Sequence, residues 1–258
     1  MDALRGIRVG CVQYLNSRPL IYGLEGVCLE HPRVLAEKLR RGELDAALVP
    51  VFELLRDPEN YWVVDGVAIA SQGPVYSVYV AYHGDLAEMT EVHVDPASLT
   101  SVHLVQVLGK GVLGRRLSMV FEGEPIQRGR GRLLIGNQAI RFRQEQGDGA
   151  CHFWDLGEVW ANWTGLPFVY AVWVIRKTVG RAPEVADVFR ELAKQGVREI
   201  ETIVAEEREV PREVARTYLN RCICFGLGGA EKQGLARFGR ELKAMGFVNS
   251  ADARIEFV

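Results

Sequence analysis

The 258-residue sequence lacks an excess of charge of either sign: 31 lysines and arginines stand against 33 aspartates and glutamates. A general nucleic-acid binder needs a basic surplus to release counterions from phosphates, so that class is set aside. There is no run of about 18–20 apolar residues, the length a helix needs to cross a bilayer. The opening stretch, MDALRGIRVGCVQYLNSRPL, holds no apolar core of signal-peptide length, because Arg5 and Arg8 interrupt it. A cytoplasmic location, with neither membrane nor nucleic acid as partner, is the expectation. Cysteine is sparse: Cys11, Cys28, Cys151, Cys222 and Cys224 are odd in number and irregular in spacing. Cys222 and Cys224 form a C-x-C pair, but no second pair or nearby histidine completes a zinc set. All five read as reduced thiols packed as small hydrophobes, with no metal expected.

Several catalytic signatures are missing as well. GRGRLLIG carries glycines but precedes a strand, the wrong order for a phosphate or dinucleotide loop. No G-x-S-x-G elbow occurs, and the five histidines show no H-x-x-x-H spacing. Glu206, Glu207 and Glu209 read as solvated helix faces.

What is present is an alternation of strands and helices. Strands are expected at Ile7–Val12, Leu44–Val49, Trp62–Ala70 and Val75–Tyr82, with helices at Ser17–Leu24, Pro32–Arg41 and from Phe52. The middle repeats this on a smaller scale: a strand at His93-Val94, a turn at Asp95-Pro96-Ala97-Ser98 capping a helix to about Leu108, then short strands at Ser118–Phe121 and Leu133–Ile135. EGEPIQRGRGR reads as a surface loop. Asp155 opens an amphipathic helix, and Phe168–Ile175 is a long apolar strand. Helices at Pro183–Glu207, Pro211–Asn220 and Gly229–Met245 close the chain, the last with Leu235, Phe238, Leu242 and Met245 on one face. Alternating elements favour an α/β fold with helices on both sheet faces. Long strands near Tyr82 and Phe168 interrupt the alternation. This suggests one lobe from residues 1–82 and 176–258 and a second, inserted lobe from 83–175, with a ligand cleft between them. The five tryptophans read mainly as core, with one or two free to wall a ligand.

Small polar residues recur where strands end: Tyr14-Leu15-Asn16-Ser17, Ser71-Gln72-Gly73-Pro74 with Ser77, Ser98-Leu99-Thr100-Ser101, Gly136-Asn137 and Asp155-Leu156-Gly157. Hydroxyls and unpaired N–H groups at helix starts suit carboxylates, and ligands of open α/β sheets lie beyond the carboxyl ends of strands. Ordinary N-capping explains each of them equally well when taken alone.

The stretches VGCVQYLNSRPLIYGLE, LRRGELDAALVPVFELL, AIASQGPVYSV, residues 95–108, LLIGNQAI and DLGEVWANWTGLPFVYAVWV occur in this order. Together they resemble the menaquinone-pathway chorismate dehydratases over about residues 7–176. The Tyr-Leu-Asn turn and the run from Asp155 to Phe168 are the most telling parts; the carboxyl-terminal helices add little. The resemblance implies a two-lobe fold like that of type II periplasmic binding proteins, with mixed sheets and an inter-lobe cleft. It implies a carbon–oxygen lyase that removes water from chorismate in the futalosine route to menaquinone, giving 3-[(1-carboxyvinyl)oxy]benzoate, with no cofactor. By it Asn16 is the central catalytic group, orienting rather than acting as a base, while the substrate's enolpyruvyl carboxylate takes the proton. Ser71, Ser77, Thr100 and Ser101 are expected to hold the two carboxylates, with Ser17, Gly73 and Asn137 beside them. Asp155 reads either as a ligand contact or as a helix cap alone. The chain departs from the family in one place: Asn137-Gln138 stands where an acidic residue is usual. Two other readings remain, a cytosolic solute-binding or sensor module without catalysis and the sister futalosine-pathway enzyme of the same fold.

Overall fold

The computed structural model describes residues 2–95, 98–146, 151–249 and 255–258. Its strands are β1 (Val9–Val12), β2 (Cys28–Glu30), β3 (Ala46–Pro50), β4 (Tyr61–Ser71), β5 (Val78–Tyr82), β6 (Glu91–His93), β7 (Ser118–Val120), β8 (Arg130–Ile135), β9 (His152–Asp155), β10 (Phe168–Arg176) and β11 (Glu256–Phe257). Its helices are α1 (Pro32–Arg40), α2 (Val51–Arg56), α3 (Thr100–Gly111), α4 (Gly136–Gln146), α5 (Leu156–Thr164), α6 (Ala182–Arg198), α7 (Ile200–Glu206), α8 (Arg212–Thr217) and α9 (Gly229–Ala244).

Two mixed sheets organise these elements, one in the order β11-β4-β10-β3-β1-β2 and the other β7-β6-β8-β5-β9. The continuous apolar run of β10 is explained by its place: it pairs antiparallel with both β3 and β4 and is buried on both faces. Trp173 on this strand stacks on Phe189 of α6, with centroids 4.1 Å apart. Trp160, Phe168 and Phe238 meet edge to face and join α5, β10 and α9.

Sheet membership moves the lobe limits. Strand β5 pairs with β8 and β9, whereas β10 pairs with β3 and β4. The chain therefore passes between sheets at 72–77 and 156–167, earlier at both points than the expected 82/83 and 175/176. Both strands are apolar throughout, and hydrophobicity alone does not say which sheet a buried strand joins.

Other differences have local causes. Residues 75–77 lie outside β5, because the Val75 and Tyr76 N–H groups donate to Asp155 instead of a neighbouring strand. The helix expected over Pro183–Glu207 breaks at Glu199, where φ and ψ are -96° and 17°. Residues 130–132 of the expected Gly/Arg loop belong to β8. Beyond Thr217 the chain does not continue as an α-helix but as a π-turn over Tyr218–Cys222. Short strands β2, β9 and β11 carry too few residues to announce themselves as apolar runs. Pro96 and Ala97, half of the expected cap before α3, lie outside the described residues.

The segment after β1 is a 3-10 turn, Leu15–Ile21, rather than a helix from Ser17, and Pro19 sits inside it. It lies directly on α6. A Cβ on Gly196 would fall 1.8 Å from the Pro19 carbonyl oxygen and 2.6 Å from its carbon. Only a residue without a side chain permits this approach. On the other side of the molecule, His103 of α3 stacks on Phe52 of α2 at 3.6 Å and meets Phe247 edge-on, which packs one sheet's helices against the other's. Its Nδ1 lies 2.9 Å from the Leu99 carbonyl oxygen.

Two outcomes follow. Gly196→Ala is expected to destabilise the protein by about 1–3 kcal/mol, as overpacking does, measured by urea denaturation; an unchanged midpoint would contradict this close approach. Burial holds the His103 imidazole below its ordinary 6.5, so folding favours the neutral ring. Its contribution is present above pH 6.5 and is lost as pH falls through the depressed folded value. His103→Phe should flatten the loss of stability on acidification, read as denaturation midpoints across that range.

Candidate functional site

A mainly apolar pocket with a cavity volume of about 70 Å³ lies between the two sheets. Val12, Pro50, Ile69 and Tyr170 wall it from the first sheet, Val78 and Ile135 from the second, and Val75 from the crossing between them. Val12, Pro50 and Ile135 each end a strand, so the pocket occupies the position that open α/β sheets offer to ligands. Apolar walls interrupted by a few polar groups are the kind of lining that orients a small molecule.

Asn16 is one of those groups. The turn that carries it is tied at its base by Ser17, whose Oγ donates to the Val12 and Tyr14 carbonyls at 2.6 and 2.7 Å. The Asn16 carbonyl oxygen is buried with no hydrogen-bond partner, although the side chain lines the pocket. The Tyr218 hydroxyl lies beside the Asn16 side chain. An orphaned acceptor of this kind costs on the order of 1–3 kcal/mol, which suits a group reserved for a ligand.

The start of α3 supplies the second polar wall. Its N-cap is Leu99, which has no side chain able to cap the first turn. Ser98, expected to cap this helix, lies one residue too early. Its hydroxyl is 5% exposed, has no partner and borders the pocket. Thr100 and Ser101 also border it, and Thr100 Oγ1 accepts the Phe52 N–H at 3.1 Å. A hydroxyl and the positive end of a twelve-residue helix make this corner attractive to a carboxylate.

The structure thus brings Asn16, Thr100 and Ser101 to one pocket and puts the remaining expected residues elsewhere. Ser17 faces its own turn. Ser71 Oγ lies 3.2 Å from the Gly73 carbonyl and 3.1 Å from the Tyr170 hydroxyl, within the crossing between sheets. Ser77 is 2.8 Å from the Tyr218 hydroxyl. Asp155 caps α5 through the Gly157 and Glu158 N–H groups and also accepts from Val75 and Tyr76 at 3.0 and 2.8 Å. Those bonds hold Tyr76 at φ 66°, a left-handed conformation that a bulky residue adopts only under constraint. Of its two readings, the cap is the one the contacts occupy.

Asn137 lines a neighbouring polar cavity that shares Tyr14 and Ile135 with the inner pocket. Its Oδ1 accepts the Leu15 N–H at 2.9 Å and its Nδ2 donates to Glu209 at 2.9 Å. Arg141 reaches the same Glu209 oxygen at 2.8 Å. An acidic residue at 137 can accept from Leu15 but cannot donate to Glu209, so the amide here is matched to its partner.

Three contributors were not singled out from sequence. Tyr218 enters from the π-turn after α8, where no motif marks it. Ser98 was visible as a helix-start serine, but its register relative to α3 was not. Glu207 is 6% exposed and is not part of a solvated face. Its carboxylate accepts the Arg208, Glu209 and Val210 N–H groups and pairs with Arg18 at 3.1 Å, which fixes the strip that presents Glu209. Burial pushes the Cys11 thiol up to about 12, so it is a packing group at physiological pH. Among the described residues no three His, Cys, Asp or Glu side chains group closely enough to hold a metal ion, and no helix is long and apolar enough to cross a membrane.

The sequence matches, over residues 7–244, the model of a family described as menaquinone biosynthesis. A chorismate dehydratase from Thermus thermophilus is 28% identical over 223 residues, covering 79% of this chain and 82% of that protein. Among solved structures, a protein from Archaeoglobus fulgidus superposes with a TM-score of 0.72 at 15% identity, covering 94% of this chain and 98% of the other. An alkanesulfonate-binding protein from Xanthomonas axonopodis pv. citri, bound to MOPS, gives a TM-score of 0.63 at 14% identity, covering 95% and 94%. The fold is periplasmic-binding-protein-like.

Asn137→Asp places a carboxylate against Glu209 and is expected to cost about 1 kcal/mol, the worth of one hydrogen bond plus a like-charge contact. Glu209→Gln in the same chain restores a donor and should recover most of the loss, read as a double-mutant cycle in denaturation midpoint. Equal stability of Asn137→Asp and wild type would show that the two halves are not joined through this amide.

Proposed function

The chain belongs to the menaquinone-biosynthesis family, and from that premise we propose that it is a chorismate dehydratase, a carbon–oxygen lyase. The observation that carries this reading is the pairing, in one apolar pocket, of the orphaned Asn16 carbonyl with the uncapped start of α3 and the unpartnered Ser98 hydroxyl.

Chorismate is a cyclohexadiene with a ring carboxylate, an enolpyruvyl ether and a neighbouring hydroxyl. Removing the proton from the ether-bearing carbon and hydroxide from its neighbour yields water and an aromatic ring, 3-[(1-carboxyvinyl)oxy]benzoate. Aromatisation makes the reaction strongly downhill, so the protein's task is to hold the ring and screen developing charge. The Ser98 hydroxyl and the first-turn N–H groups of α3 take one carboxylate. The apolar walls hold the ring and the Asn16 side chain orients the ring hydroxyl; the proton taken from the ether-bearing carbon is passed on to the departing oxygen, which leaves as water. An amide is too weak a base to remove the ring proton, and no histidine or lysine lines the pocket. The substrate's enolpyruvyl carboxylate is the acceptor that remains. The reaction calls on no cofactor in this scheme.

Incubating purified protein with chorismate and following loss of the diene and gain of the aromatic product tests the proposal. Asn16→Ala should lower kcat by about two orders of magnitude, the scale of one lost preorganised group. Ser98→Ala should raise KM about tenfold, as expected for one lost hydrogen bond to a charged group. Tight binding of chorismate without turnover by wild type would instead make this a solute-binding module. Full turnover by Asn16→Ala would remove Asn16 from the reaction.

A further inference from the structure

We propose that Glu207 is a positioning residue for Asn16, clamping the turn that carries it from both ends at once. The inference deepens the dehydratase reading and rests on it for the meaning of kcat. Glu207 is 6% exposed, and both of its carboxylate oxygens are in use. Oε1 accepts the Arg208, Glu209 and Val210 N–H groups at 2.9, 2.6 and 3.2 Å. Oε2 accepts from Arg18 Nη1 at 3.1 Å, a residue 189 positions earlier in the chain.

These bonds close a ring around Asn16. Arg18, two residues after it, reaches Glu207 Oε2, while the Glu209 N–H reaches Glu207 Oε1. Glu209 Oε2 accepts from Asn137 Nδ2, and Asn137 Oδ1 accepts the N–H of Leu15, one residue before Asn16. Ser17 sets the shape of the turn, since its hydroxyl bonds to carbonyls of the same segment. Placement of the turn against α4 and the strip after α7 falls to the ring. Burying a carboxylate to pair it with an arginine rarely adds net stability, because desolvation offsets the attraction. Placing one segment against another is what such a pair does supply. The ring also needs a carboxylate at 207, because an amide has one acceptor end and one donor end. With its oxygen toward residues 208–210, an amide would turn N–H groups on the Arg18 guanidinium. Reversed, it would turn them on three backbone donors, so one side of the ring opens either way.

Arg18→Met keeps the stem of the side chain and opens the ring without touching the bonds to residues 208–210. The Arg18 side chain is 33% exposed, so this variant is expected to fold. Its kcat should fall about tenfold with KM within about twofold, since Asn16 orients the reacting atoms while the start of α3 takes the carboxylate. Glu207→Gln should lower kcat in the same direction. In an Asn16→Ala background neither substitution should lower kcat further, because the clamp acts through that side chain. A purely structural pair would lower the melting temperature and leave the kcat of Arg18→Met at the wild-type value, which would overturn the proposal. A further fall in the Asn16→Ala background would overturn it too, as would unfolding of both variants. Where Glu207→Gln alone fails to fold, Arg18→Met decides. A second readout needs no turnover: the Asn16 side-chain 15NH2 resonance, assigned by its absence in Asn16→Ala, should move in Arg18→Met. Should wild type fail to convert chorismate, the dehydratase reading falls and this resonance alone decides: an unmoved signal overturns the positioning role, and a moved one sustains it.

Discussion

A buried carbonyl oxygen without a partner is a standing cost, and Asn16 Oδ1 is such an atom at the centre of this molecule. A surface loop would relieve that cost by rotating the side chain into water. Here the turn is closed on every side: Ser17 ties it to β1, Leu15 bonds across to Asn137, Arg18 pairs with Glu207, and Gly196 lets α6 press against Pro19. Each contact comes from a different part of the chain. The unfavourable acceptor persists because local relief would break several of them at once, which is how folds keep strain at functional positions.

The same economy explains how a near-neutral chain can serve a dianionic substrate. Among the described residues no lysine, arginine or histidine lines the inner pocket, and Arg141, which borders the neighbouring outer cavity, is already paired with Glu209. A hydroxyl and helix-start N–H groups in apolar surroundings supply fixed dipoles that need no counter-charge of their own. Releasing an equally anionic product is easier from dipoles than from a buried cation. The small net charge is thus compatible with anion binding, because the relevant field is local.

Much of the fold was legible in sequence because its signals are periodic. The fully apolar Phe168–Ile175 run, the Pro32 helix start and the face of α9 all follow from burial. What stayed illegible were relations between distant segments. Nothing in the run Val75–Tyr82 says that its first residues bond to Asp155, eighty positions away, and so leave the strand. The carboxyl-terminal helices looked uninformative because they carry no motif, yet they deliver Tyr218, Glu207 and Gly196 to the Asn16 turn. Of the residues expected at the site, Asn16, Thr100 and Ser101 border the inner pocket, and a turn after a strand and a helix start are local features. Ser71, Ser77 and Asp155 share those local features but spend them on the crossing between sheets, a use that only the tertiary structure reveals.

The contacts joining the two sheets are unequal, and the inequality determines which side can give way. At the crossing, Asp155 accepts four backbone N–H bonds while 3% exposed. Bonds to a buried carboxylate are worth about 1.5–3 kcal/mol each, and breaking them leaves a buried charge answered only by Arg143 at 3.7 Å. At the outer cavity, the Asn137 and Arg141 bonds to Glu209 are exposed, where an ion pair contributes about 0–1 kcal/mol and water replaces whatever is lost. Of these two sets of contacts, the exposed bonds beside Asn137 cost less to break. Tyr14 and Ile135 border both the outer cavity and the inner pocket, so these exposed bonds lie beside the candidate site. The one Asn137 amide thus accepts the Leu15 N–H of the Asn16 turn and donates to Glu209, so the same side chain ties the turn to α4 and α4 to the strip that presents Glu209.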